Sequence, residues 1–96
     1  MVVTMLEAPV DPDRSDQLIA EFESAGGDLP PPIVESFLLR DVASDLWRLV
    51  TVWVSREALD EYRTSVGTPG GVLMFRAAGA EPSLTVSEVA GHLTSG

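Results

Sequence analysis

Four side chains in the middle of this chain are of types that could bind or activate an aromatic molecule: Ser36, Thr51, Trp53 and Tyr62. Trp53 stands near the end of an alternating run, LWRLVTVWV at 46–54, and Ser55 follows as a helix cap. A tryptophan placed just before the backbone changes period either packs beneath that helix or forms the wall of a small-molecule pocket. In both cases a buried indole N–H needs an acceptor. Tyr62 can hydrogen-bond a ligand or donate to an oxygen that gains charge, or it can be core with its hydroxyl at the rim. Ser36 and Thr51, as cross-strand neighbours, orient a ligand or form an ordinary sheet pair. Phe22, Met74 and Phe75 line a cavity or fill a core. Arg76 neutralises a phenolate or remains a solvated helix charge. Arg40, expected across from Trp47, suits a guanidinium stacked on an indole and reads as structural.

Other chemistries lack their parts. There is no cysteine, a single histidine (His92) and no carboxylate cluster at ligand spacing, so no metal set is expected. A lone histidine near the end of the chain supports no Ser-His-Asp constellation. Gly70-Gly71 is too short a glycine signal for a phosphate loop. The net charge of −9, from 15 acidic and 6 basic residues, argues against nucleic acid and against anionic membrane surfaces. The start, MVVTMLEAPV, has no basic n-region, and no apolar run is long enough to span a bilayer. A soluble cytoplasmic protein is the default expectation.

The 96 residues suit one domain, 1–96, with 91–96 as a loose tail. Residues 2–8 read as a first strand. Asp11-Pro12 starts a helix whose stripe is Leu18, Ile19, Phe22 and Ala25, and Gly26-Gly27 stop it. Leu29-Pro30-Pro31-Pro32 is a stiff extended linker. Residues 33–40 form a second strand, Asp41 to Ser44 a turn, and 46–54 a third strand. Ser55 caps a helix carrying Ala58, Leu59, Tyr62 and Val66 on one stripe, with Gly67 at its end. Thr68-Pro69 starts a short helix over roughly 69–78, ending at Gly79. Pro82 opens a last strand, SLTVSEVA. This β-α-β-β-α-(α)-β order is the ferredoxin-like α+β arrangement, with helices on one face of an antiparallel sheet.

An even loop centred on Ala43 and Ser44 puts Val34, Ser36, Leu38, Arg40, Trp47, Leu49, Thr51 and Trp53 on one sheet face. The other face carries Ile33, Glu35, Phe37, Leu39, Arg48, Val50, Val52 and Val54. Both are apolar, whereas a half-solvated antiparallel sheet alternates apolar with polar. The helices can cover one face only, and soluble monomers rarely expose such a patch. The expectation is a homodimer through the non-helical face, burying about 800 Å² per subunit. A C-terminal segment folded over that face is the competing arrangement.

Trp53, Ser55, Ala58, Leu59, Tyr62 and Ser65 form a W-x-S-x-x-A-Φ-x-x-aromatic-x-x-S string. Together with the element order, this resembles the antibiotic biosynthesis monooxygenase type of dimeric α+β barrel. The resemblance implies two ferredoxin-like subunits packed sheet to sheet, with a pocket opening between sheet and helices near Trp53. It implies a cofactor-free monooxygenase acting on an aromatic or quinol-type molecule, with Trp53, Tyr62, Ser36, Thr51, Phe22, Phe75 and Arg76 as the ligand-binding set. Haem-degrading members use a histidine in the helical segment after the string and an asparagine near the end of the first strand. This chain has no asparagine, and GGVLMFRAA has no histidine, so haem degradation and histidine-dependent acid–base chemistry are not expected, and no cofactor is. The alternative is a non-catalytic dimer of the same fold that binds a small apolar ligand or serves as a structural module.

Overall fold

The computed structural model describes residues 1–26 and 29–95. Strand β1 (Val2–Pro9) leads through a 3-10 turn (Pro12–Arg14) into helix α1 (Ser15–Ala25). The Asp11 carboxylate accepts from the Asp13 N–H at 2.9 Å, and Pro12 follows it as the first residue of the turn. Gly26 is the C-cap of α1, while Gly27 lies outside the described residues. Strands β2 (Ile33–Arg40) and β3 (Leu46–Trp53) form a hairpin whose turn is held by Asp41, which accepts from Ser44 Oγ at 2.8 Å and from the Ala43 N–H at 3.2 Å. Helix α2 (Arg56–Val66) begins at Ser55, whose Oγ accepts from the Ala58 N–H at 3.1 Å. It ends at Gly67, whose φ of 72° is open to glycine at little cost. Helix α3 (Gly70–Ala77) starts one residue later than the sequence suggests: Pro69 itself is the N-cap, and Thr68 makes no capping bond. Strand β4 (Ser83–Glu88) is two residues shorter than expected.

The strand order is β2-β3-β1-β4, and every neighbouring pair is antiparallel. This is the split βαβ, ferredoxin-like arrangement. Register stacks the helix-facing side chains into rows across β2, β3 and β1. Ile33, Trp53 and Val2 make the first, Ser36, Thr51 and Thr4 the second, Leu38, Leu49 and Leu6 the third, and Arg40, Trp47 and Ala8 the fourth.

One face assignment is overturned. The ladder shifts by one residue between Ile33 and Glu35, so Ile33, not Val34, lies opposite Trp53. Such an irregularity moves the residues before it to the other face. Ile33 accordingly packs against the cluster of Val2, Trp53 and Leu59, while Val34 is exposed.

The main core lies at the Trp47 end of the sheet. Phe75 and Leu18 are fully buried there among Leu6, Ala8, Val10, Trp47, Leu49, Met74 and Ala78. Arg40 caps this end, with its guanidinium carbon 4.6 Å from the centre of the Trp47 ring. On the opposite sheet face Val3, Met5, Val50 and Val52 are only half-buried, and Phe37 and Leu39 are exposed. An ion pair, Arg48 Nε to Glu7 Oε2 at 2.7 Å, borders this apolar field. The helices also stop short of edge strand β4, where Leu84 and Val86 are exposed although they share the face of Leu6 and Thr4. No helix among the described residues is long and apolar enough to cross a membrane.

Candidate functional site

Beyond the packed end, sheet and helices part around a cavity of about 870 Å³. Its floor is the row structure of the sheet: Trp53 and Ile33, then Ser36, Thr51 and Thr4, then Leu49 and Leu6. Phe22 and Ala25 of α1, Leu59 and Tyr62 of α2, and Gly70, Gly71, Val72 and Met74 of α3 form the walls. Leu29 and Pro30 complete them; the segment is not the extended linker expected, since the Ile33 N–H donates to the Pro30 carbonyl at 2.9 Å across a turn at Pro31-Pro32. Glu21, Ser24 and Arg63 also line it and are exposed, marking a mouth between α1 and α2.

Trp53 is 5% exposed and does both things the sequence allows: it packs on Leu59 and Val2, and it walls the cavity. Its indole Nε1–H donates to Thr4 Oγ1 at 3.0 Å, which meets the need of a buried indole. The Tyr62 ring stands edge-on to it, with centroids 5.1 Å apart and planes at 61°. Tyr62 Oη accepts from the Gly70 N–H at 3.2 Å, tying α2 to the first turn of α3. That bond uses an oxygen lone pair and leaves the phenolic proton available to a ligand. Ser36 Oγ and Thr51 Oγ1 are 3.0 Å apart, the cross-strand pair expected from register, and Ser36 also donates to the Val50 carbonyl at 3.3 Å.

Gly71 sets how closely α3 approaches the floor. A Cβ there would lie 2.8 Å from both Leu49 Cδ2 and Leu6 Cδ1, so only glycine fits without a shift of these side chains.

The structure brings Trp53, Tyr62, Ser36, Thr51 and Phe22 together, and it separates two others from them. Phe75 is fully buried in the packed core and does not line the cavity. It points into the layer shared with Leu18, because an eight-residue helix puts Met74 and Phe75 on different parts of its buried surface. Arg76 lies outside the lining and forms a two-pronged pair with Glu81, at 2.7 and 2.9 Å. The Glu81 hydrogen bonds raise the guanidinium pKa, and Arg76 in turn lowers that of Glu81. Both are exposed, so the pair stabilises the fold little. The cation at the cavity is Arg63 instead, and the polar group that sequence reasoning misses is Thr4. The alternation of Val2, Thr4, Leu6 and Ala8 contains the clue: one hydroxyl in an otherwise apolar face, on the strand that pairs with Thr51.

A haem in this cavity would require an iron ligand such as His, Cys, Met or Tyr. His92 lies after β4, exposed and outside the lining. Met74 and Tyr62 do line the cavity, but Met74 is also packed into the main core at 7% exposure, and the Tyr62 oxygen already accepts the Gly70 N–H with one lone pair. Among the described residues the lining therefore offers an iron neither a histidine nor a cysteine.

No family model matches the chain, and no curated protein matches it. Solved structures do match over almost the full length. A variant of SnoaB, a cofactor-independent oxygenase from Streptomyces nogalater, superposes with a TM-score of 0.71 at 17% identity, covering 98% of this chain and 97% of that one. An antibiotic biosynthesis monooxygenase gives a TM-score of 0.70 at 12% identity, over 95% of this chain and 100% of that one. The chain has the antibiotic biosynthesis monooxygenase type of fold. The heme-degrader MhuD from Mycobacterium tuberculosis, with two hemes in its active site, shares it at a TM-score of 0.70 and 21% identity, over 98% and 100% of the two chains. At these identities the likeness is one of fold, and the chemistry must be argued from the cavity.

Proposed function

We propose that this protein is a small cofactor-independent monooxygenase of one ferredoxin-like domain, acting on an aromatic or quinol-type molecule in the cavity beside Trp53. The observation that carries the reading is the cavity itself: a largely apolar space walled by an indole and a phenol in edge-to-face contact, floored by hydroxyls, in a fold shared with a cofactor-independent oxygenase. In such a reaction an electron-rich phenol loses its proton, and the ring anion gives its electron pair to dioxygen. One oxygen atom stays on the ring as the second carbonyl of a quinone. The other leaves as water, with the hydrogens of the ring C–H and the phenol O–H. The protein's part is to hold the ring, exclude water and stabilise the anion. The hydroxyls of Thr51, Ser36 and Tyr62 face the space where that oxygen would lie, and Arg63 at the mouth adds a positive charge.

Oxygen uptake measured with a panel of polyphenols tests this. Turnover that falls about a hundredfold in Trp53→Phe and at least tenfold in Tyr62→Phe supports the roles of these two side chains. Turnover indifferent to both substitutions contradicts them.

A second reading, ligand binding without turnover, is favoured by one observation: the carboxylate that lines the cavity, Glu21, stands at its exposed mouth, away from the hydroxyl floor. Calorimetric binding of the same phenols with no oxygen uptake would select it.

We further propose that two copies pair through the non-helical face, where Phe37 and Leu39 lie exposed beside the half-buried Val50 and Val52. Sedimentation should give a dimer, and Val52→Asp a monomer. A wild-type monomer at micromolar concentration contradicts the pairing.

A further inference from the structure

Resting on the reading of the cavity as a ring-binding site, we infer that Thr4 and Thr51 bind an acceptor oxygen of the ligand, a ring carbonyl or a phenolate, on the cavity floor. The two threonines are register partners on neighbouring central strands, and both are nine-tenths buried, at 8% and 7% exposure. Both line the cavity.

Counting protons leads to the ligand class. Each hydroxyl has one proton to donate and two lone pairs. Thr4 accepts the indole N–H of Trp53, its one side-chain hydrogen-bond partner among the described residues, so its own proton is unspent. The Ser36–Thr51 bond can run either way. If Ser36 gives its proton to the Val50 carbonyl at 3.3 Å, Thr51 donates to Ser36. If Ser36 donates to Thr51, the Thr51 proton is unspent as well. The floor therefore has one or two buried donors with no protein acceptor among the described residues, and leaving such donors unpaired is costly. A ring carbonyl or phenolate oxygen has lone pairs enough to take both. Around it Leu6, Leu49 and Ile33 supply only apolar surface, which fixes the ring's oxygen-bearing edge to this row. Trp53 then acts on the ligand partly through Thr4, since its N–H occupies one lone pair and turns the hydroxyl proton away from the indole.

Isothermal calorimetry with 1,4-naphthoquinone and with naphthalene, a ring of the same shape without oxygen, separates this inference from the reading beneath it. The chain has neither cysteine nor lysine for a quinone to alkylate. The wild type should bind the quinone roughly tenfold more tightly than the hydrocarbon, the worth of one buried hydrogen bond. Thr4→Val should abolish that margin while leaving naphthalene binding unchanged, and Thr4→Ser should keep it. Thr51→Val, which leaves the Trp53–Thr4 bond intact, should reduce the margin by a smaller factor and serves as the test if Thr4→Val does not fold. A margin unchanged in Thr4→Val, or in Thr51→Val where that variant stands in, overturns the inference while the cavity reading stands. If neither compound binds the wild type, the cavity reading itself fails, and this inference with it.

Discussion

Trp47 and Trp53 stand on the same strand, face the same helical layer and are equally buried, at 5% exposure each. Their surroundings differ. Around Trp47 the layer is filled by Phe75 and Leu18, both fully buried, and Arg40 lies over the indole ring. Around Trp53 the buried apolar neighbours among the described residues are Val2 and Leu59, the indole N–H is bonded to Thr4, and open space begins at the next row of the sheet. Burial of a tryptophan therefore does not distinguish core from site. What distinguishes them is whether the helix above supplies a large side chain. Helix α3 supplies Phe75 at one end and two glycines at the other.

Substitutions should expose this asymmetry. The largest effect is expected for Phe75→Ala, which would leave a void in the packed end and cost about 3–5 kcal/mol in chemical denaturation. For a chain this short that is a large share of the total stability. Phe22→Ala should cost less, about 1–2 kcal/mol, because Phe22 is half-buried and already borders empty space. An equal loss at both positions would mean that the two ends are packed alike. Gly71→Ala should change stability by about 1 kcal/mol or less. The new methyl meets Leu49 and Leu6 at 2.8 Å, but these side chains line the cavity and can turn into it. The same substitution narrows the slot, so ring binding should weaken by more than stability does.

The smallest expected effect lies away from both tryptophans. Asp41 has its pKa lowered below 3.8, first by the hydrogen bond from Ser44, then by that from the Ala43 N–H, with a further contribution from Arg48. A carboxyl with a depressed folded pKa stabilises the fold above its unfolded value, and that contribution is lost as pH falls through the lowered one. Asp41→Asn, which cannot ionise, should therefore lower stability slightly at neutral pH, leave it nearly unchanged well below pH 3.8, and so flatten the acid side of the profile. A large loss at neutral pH would show that the hairpin turn bears on the packed end more than its exposure suggests.

Most of the architecture was legible because its signals are local. Asp11, Ser55 and Gly67 mark element ends through their own backbone chemistry, and alternation in β3 assigned Thr51, Trp53 and Trp47 to one face. The Ser36–Thr51 contact followed from hairpin geometry alone. What escaped depends on contacts between distant segments. The register shift at Ile33 is a property of the β2–β3 ladder, not of either strand. Thr4 gains its place only when β1 inserts beside β3, far away in sequence. Phe75 and Met74 are adjacent on one short helix and both pack into the core, and no local pattern tells that Met74 also reaches the cavity while Phe75 does not. Arg63 lies off the apolar stripe of α2, where a charge usually means only solvent.

The contrast between the two tryptophans can be observed directly, since the chain contains just two indole N–H groups. In a nitrogen-proton correlation spectrum each gives one resolved signal, assignable with Trp47→Phe. Titration with 1,4-naphthoquinone should shift the Trp53 signal progressively and leave that of Trp47 in place. A ligand that moves Trp47 alone, or moves neither while calorimetry reports binding, would contradict the assignment of the cavity as the site.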